Sequence, residues 1–195
     1  TIFIFVISIT FILDFVLTNI YNNLKNEQRR EIRISHPIFH HTFKKSSKSP
    51  GIVYGNKFNL FTNSLGFKDR SSRKVELKSA NHRILFMGDS FTEGIGLAYD
   101  DTFVGIIDTM LAQKNIEVLN ASRVSYSPII YWRKTKYLIE EIGLNFNELI
   151  VFIDISDVKD EAVKYDLSNE MNVILKTDLV EDFNNDQEHN IINLI

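Results

Sequence analysis

Arg83-Ile84-Leu85-Phe86-Met87-Gly88-Asp89-Ser90-Phe91-Thr92-Glu93-Gly94 is the stretch that decides the fold. An apolar strand over residues 83–87 runs straight into Gly88-Asp89-Ser90, and Gly94 follows soon after. Open α/β sheets hold their ligands in the crevice beyond the carboxyl ends of their strands. A serine on a tight turn at such an end has its hydroxyl lifted out of the sheet, toward whatever binds there. A plainer reading stands beside this one. Ser90-x-x-Glu93 has the spacing of a capping box, in which Ser90 only starts a helix.

Downstream, the pattern is that of an α/β domain. Phe103, Ile106, Ile107, Met110 and Leu111 fall on one helix face. Ile116 to Leu119 reads as a second strand. Ser127-Pro128 reads as an N-cap with proline at the first helical position, and Tyr131, Thr135, Leu138 and Ile142 mark the inward stripe of that helix. Leu149 to Ile155, apolar apart from Asp154, suits a third strand in a sheet covered on both faces. Strand, helix, strand, helix, strand predicts a parallel sheet with right-handed crossovers. After Asp157 the chain turns acidic and Asn-rich, with a short strand expected near Asn172 to Leu175.

Upstream, Ile2 to Ile20 is almost wholly apolar, with Asp14 as its one charge. About 20 apolar residues in a helix span a bilayer core. Residues 1–22 are therefore expected to be a single-pass signal-anchor helix, against the alternative of a buried helix or an uncleaved targeting segment. Asp14 counts against spanning, since a carboxylate at the bilayer centre is costly. Lys25, Arg29, Arg30 and Arg33 follow it. By the positive-inside rule they favour a cytoplasmic body. Residues 23–58 read as a basic juxtamembrane linker containing His36, His40 and His41, and residues 59–195 as the main domain. The His40-His41 pair lacks the further ligands a metal site needs. The chain opens inside an apolar stretch and closes on Ile191-Ile192-Asn193-Leu194-Ile195 without a stop signal, so a C-terminally truncated domain is expected.

The bulk composition narrows the function classes. The chain has 195 residues, 44% of them hydrophobic, which suffices for one cored domain plus an appendage. A net charge of -3 gives no footprint for nucleic acid. The absence of cysteine excludes disulfides, a thiol nucleophile and Cys-ligated metal. The glycine spacing around Ser90 also excludes three common motifs. Thr92 stands where the nucleophile elbow of α/β-hydrolases has glycine. No Gly-Lys-Ser/Thr of a phosphate-binding loop is present. Gly88, Gly94 and Gly96 do not give a dinucleotide fingerprint.

The stretch resembles the SGNH (GDSL-like) hydrolase family, in its bacterial, membrane-anchored form. Gly88-Asp89-Ser90 with Gly94 is similar to that family's first block. Thr62-Asn63-Ser64-Leu65-Gly66-Phe67-Lys68-Asp69 resembles the segment that precedes the first strand in many bacterial members. Val118 to Tyr126 corresponds by place to the second block, and Phe152 to Asp157 to the third. The resemblance covers roughly residues 60–160. It implies a three-layer, flavodoxin-like α/β fold working outside the cytoplasm. Ser90 is then the nucleophile, and the N–H groups of Ser90 and Ser125 with the Ser156 hydroxyl are the oxyanion donors. Gly88, Asp89, Gly94, Asn120 and Asp157 support them. Two of the blocks depart from the family pattern. Ser122 and Ser125 stand where glycine is usual, and Ser156-Asp157 replaces Asn-Asp. A serine hydroxyl is a shorter and less directed donor than an asparagine amide.

A serine hydroxyl is a weak nucleophile until a base takes its proton. The family's base is a histidine shortly after an aspartate. Asp186-Gln187-Glu188-His189 has that spacing, yet it lies in a polar stretch close behind the third strand, so the dyad is expected beyond Ile195. Asp154, Asp157, Asp160 and Glu161 suit a hard cation by type, but their spacing at a strand end favours hydrogen bonding around the site. No metal and no organic cofactor is expected. The resulting expectation is a serine esterase or O-acetyl transferase acting on a small acyl ester of a carbohydrate or lipid. The alternative is a degenerate domain of the same fold that binds or scaffolds in the cell envelope.

Overall fold

A computed structural model describes residues 7–20, 32–53 and 56–177. Helix α1 occupies residues 7–20 and is exposed along its length. Among the described residues no helix is long and apolar enough to cross a membrane. The remainder of the expected anchor lies outside the described residues.

Strands β1 (Arg33–His36) and β2 (His40–Phe43) form a hairpin. Strands β3 (Lys48–Val53), β4 (Asn56–Thr62) and β5 (Lys68–Asp69) form an antiparallel meander. The segment expected as a linker is therefore structured over residues 32–53 and 56–58, and the expected boundary at residue 59 falls inside β4. The reason is burial. Ile32, Phe39 and Phe43 are core residues, and Phe39 packs in the same cluster as Leu85 and Leu119.

Next come β6 (His82–Met87), the single-turn helix α2 (Ser90–Glu93) and α3 (Phe103–Ala112). Then follow β7 (Ile116–Asn120), α4 (Pro128–Lys136) and β8 (Glu148–Val151). Helix α5 (Ile155–Val163) and the hairpin of β9 (Tyr165–Leu167) and β10 (Val173–Leu175) complete the described chain. The six-stranded sheet has the order β3-β4-β5-β7-β6-β8. Strands β7, β6 and β8 run parallel, as the strand-helix alternation predicts. The sheet as a whole is mixed, because β5 joins β7 antiparallel through Lys68 and Asn120.

The alternation of β6 explains the layers. Leu85 and Met87 face α4, together with Leu119, Ile130 and Leu138. Ile84 and Phe86 face α3, together with Val104 and Val118. The helix expected over 103–111 is present, but its phase is shifted. Val104 is fully buried, whereas Phe103, Ile106 and Met110 are exposed. The stripe of α4 holds at Tyr131 and Leu138. Past Lys136 the helix widens into a π-turn over Tyr137–Glu141, where Ile142 N–H donates to the Tyr137 carbonyl.

The third strand is shorter than the apolar run suggests. It stops at Val151, and Asp154 caps α5. It is also an edge strand that pairs only with β6 among the described residues. Leu149, Val151 and Ile153 line an apolar groove of about 560 Å³ against Trp132 and Ile139 of the neighbouring helix.

Candidate active site

Three loops leave the carboxyl ends of β6, β7 and β8. Strand order reverses between β6 and β8, since β7 lies on one side of β6 and β8 on the other. Such a switch point is where open α/β sheets form a crevice.

The first loop is Gly88-Asp89-Ser90. Asp89, not Ser90, is the N-cap of α2, and its carboxylate accepts the Phe91 N–H at 2.9 Å. Ser90 is the first helical residue, so its own N–H belongs to the set a helix leaves unbonded at its start. Its hydroxyl donates to Asp89 Oδ2 at 3.0 Å. The capping-box alternative is thereby corrected: Glu93 does not fold back on the cap. Gly94 ends the turn in the left-handed region at φ 70°. A side chain on Gly88 would overlap Thr92 Oγ1.

The upstream segment braces this turn. Asn63 is fully buried. Its side-chain Oδ1 accepts the N–H groups of Leu65 and Phe67 at 3.0 and 3.2 Å, and its side-chain Nδ2 donates to Asp69 at 2.9 Å. That geometry aims Lys68 inward. The Lys68 ammonium donates to the carbonyls of Gly94 at 2.7 Å and Leu97 at 2.8 Å. Burial pulls its pKa down to about 8, against the attraction of Glu93.

The second loop, 121–126, spends almost every backbone N–H. Ala121 donates to Phe86, Arg123 to Gly88, and Tyr126 to Arg123. Ser122 donates to Asn120 Oδ1 at 3.1 Å, and Val124 to Glu93 Oε2 at 2.6 Å. Asn120 in turn donates its amide to the Thr92 carbonyl at 2.8 Å. Among the described residues the Ser125 N–H donates to nothing. Ser125 is also left-handed, at φ 63°. A non-glycine residue held there costs of order 1–3 kcal/mol and persists only when its surroundings fix it. Here Tyr165 donates to the Ser125 carbonyl at 2.9 Å, and a ring nitrogen of His41 lies 2.8 Å from the Val124 carbonyl. Of the two serines in glycine's place, Ser125 is the one whose backbone has glycine's conformation.

The third loop runs into α5. Asp154 accepts the Ser156 N–H and the Ser156 hydroxyl, both at 2.6 Å. Ser156 is exposed and both its donors are engaged, so its hydroxyl is not free for an oxyanion as the sequence leads one to expect. The cause is the capping box of α5, in which Asp157 Oδ2 also accepts the Asp154 N–H. The Tyr131 hydroxyl donates to the same Asp157 oxygen at 2.9 Å.

Oxygens of Asp89, Asp154 and Asp157 lie within 4.8 Å of one another, which brings the first and third loops together. Burial and the two neighbouring carboxylates push Asp157 above the usual carboxylate range. The Ser156 hydroxyl bond holds Asp154 below it. These oxygens already accept the cap and hydroxyl donors named above. Asp160 pairs with Lys164 at 2.8 Å, and Glu161 accepts the Ile129 N–H at 3.0 Å. The arrangement is that of hydrogen bonding around a turn.

Behind the loops lies a buried charged layer that the motifs did not reveal. Glu93 pairs with Arg123, both almost wholly buried. The Arg123 guanidinium stacks 4.0 Å from the Phe43 ring centroid, and its Nε and Nη2 have no partner. Lys134 donates to the Ala121 carbonyl at 2.6 Å and to the Tyr126 hydroxyl at 3.2 Å. Burial, with Arg123 nearby, pulls its pKa down to about 7, while Glu93 works the other way. One signal in the sequence marks Lys134: it sits at i+3 from Tyr131 and i-4 from Leu138, a cation inside an apolar stripe.

Histidines are absent from the Ser90 turn among the described residues. His41 is neutral, its pKa lowered to about 3 chiefly by burial, and its ring serves the Val124 carbonyl. The Asp186–His189 pair lies outside the described residues. The chain matches no family model and no curated protein.

Proposed function

We propose that this chain is a serine acyl hydrolase or O-acetyl transferase of SGNH type, acting on a small acyl ester of a carbohydrate or lipid. The observation that carries this reading is that, among the described residues, the first and second loops each keep one backbone N–H without an acceptor. The Ser90 N–H opens α2, and the Ser125 N–H is the donor left unspent in a loop whose other N–H groups are bonded. Donors fixed in advance where negative charge develops are the largest single source of acyl-transfer catalysis.

In this reading the Ser90 oxygen attacks the ester carbonyl and its proton passes to a base, an imidazole carried outside the described residues. The carbonyl oxygen gains the charge and takes the two N–H bonds. Collapse expels the alcohol, which recovers the proton and leaves an acyl group on Ser90. Water, or an acceptor hydroxyl, then removes it. No step requires a metal or an organic cofactor. The apolar run from Ile2 to Ile20 supports a membrane anchor, and the family resemblance, against the basic residues that follow the run, supports a domain outside the cytoplasm.

A second reading, a binding or scaffolding domain of the cell envelope, is favoured by one observation. The Ser156 hydroxyl, in the place of the third oxyanion donor, is bound to Asp154. Turnover of a chromogenic acetyl ester by the full-length protein separates the two. The hydrolase reading expects turnover abolished by Ser90→Ala. Turnover that is absent, or unchanged in the variant, favours the binding domain.

A further inference from the structure

We infer that Glu93 and Arg123 form the positioning pair of this site, fixing the Ser125 donor relative to the Ser90 nucleophile. The inference rests on the acyl-transfer reading and deepens it.

Helix α2 is a single turn, so Ser90 and Glu93 move as one body. Its far end is pinned, because Lys68 holds the Gly94 carbonyl at 2.7 Å. One oxygen of Glu93 then receives two donors from the second loop, Arg123 Nη1 and the Val124 N–H. Val124 is the residue before Ser125, and the peptide between them carries the unspent N–H. The loop is tied to the first turn a second time, through the Arg123 N–H on the Gly88 carbonyl at 3.1 Å. Of these ties, the Glu93 carboxylate is the one that reaches the residue next to Ser125, through the Val124 N–H.

Stability does not explain the pair. A buried ion pair is often no better than apolar residues of the same volume. Here two guanidinium nitrogens lack partners, which adds an unrepaid desolvation cost. The left-handed backbone at Ser125 is strained as well. A costly contact that ties the loop carrying a strained, unspent donor to the turn carrying Ser90 fits positioning. Neither side chain touches the reacting atoms.

The test uses full-length protein, a fluorophosphonate probe and a chromogenic acetyl ester. Glu93→Ala removes both bonds to the loop. Glu93→Gln keeps an oxygen able to accept both. Losing one oxyanion donor costs about 10²–10³ in rate, so Glu93→Ala is expected to lower kcat and probe labelling about 100-fold, with KM within a few-fold of wild type. Glu93→Gln is expected to recover at least about tenfold of that loss. Amide hydrogen exchange is expected to quicken at residues 122–126 in Glu93→Ala and to stay unchanged in β6 and β7. Glu93→Met, which fills the volume, replaces the alanine variant if that one does not fold. An active wild type beside a Glu93→Ala variant of equal kcat overturns the inference alone. So does a loss with no local change at 122–126, or one that glutamine does not relieve. A wild type that neither labels nor turns over overturns the acyl-transfer reading itself, and the inference with it.

Discussion

Replacing Lys134 by methionine removes a buried ammonium while keeping an unbranched apolar stem. The side chain is wholly buried, between the rings of Phe67 and Tyr126 at 5.0 and 4.9 Å. Burial lowers its pKa in the folded protein to about 7, against 10.5 for an ordinary lysine. The sign follows from proton counting. Below pH 7 both states hold the proton, and the charging cost is present in full. Between about 7 and 10.5 the unfolded chain binds more protons than the folded one, so stability rises with pH. One group contributes at most about 1.4 kcal/mol per pH unit, which gives about 2 kcal/mol between pH 7 and pH 9. Urea denaturation of wild type and Lys134→Met at pH 7, 8 and 9 reads this directly. The wild type is expected to gain about 2 kcal/mol relative to the variant across that range. Parallel pH profiles for the two proteins would refute the buried, depressed lysine.

Two further substitutions test the framework around the site. Asn63→Ala leaves the Leu65 and Phe67 N–H groups without their acceptor. It is expected to cost about 2–4 kcal/mol in a denaturant titration, and a cost under about 0.5 kcal/mol would remove Asn63 from the scaffold. Ser125→Gly suits the left-handed backbone at φ 63°. It is expected to leave stability unchanged or raise it by up to about 1 kcal/mol, with probe labelling retained. A clear loss of stability would mean that the Ser125 side chain, not the turn, holds the loop.

What could be read from the residues was what repeats. The apolar run of β6, the spacing of α3 and α4, and Ser127-Pro128 as a helix start all follow period and capping rules. Phase was harder. In α3 the face carrying Phe103, Ile106 and Met110 is as apolar as the buried one, so hydrophobicity alone could not choose. The role of residues 33–53 was hidden by their basic, Ser-rich composition. Two phenylalanines, Phe39 and Phe43, decide their burial, and their partners are distant in sequence. At the site, the strand-end turn and the Asp89-Ser90 pair were visible. The Ser125 conformation and the Glu93–Arg123 pair were not, because both depend on loops meeting from separate strands. The hydrogen bond from Ser156 to Asp154 was missed for a local reason: the run from Phe152 to Ile155 looked like strand, which concealed a helix cap at Asp154.

The central claim is that Ser90 is a nucleophile held at a prepared oxyanion site. Labelling the full-length protein with a fluorophosphonate, followed by peptide mapping, tests it most directly. The account predicts one adduct, on Ser90, lost in Ser90→Ala and slowed in Glu93→Ala. No adduct on wild-type protein, or an adduct that survives Ser90→Ala, would contradict it.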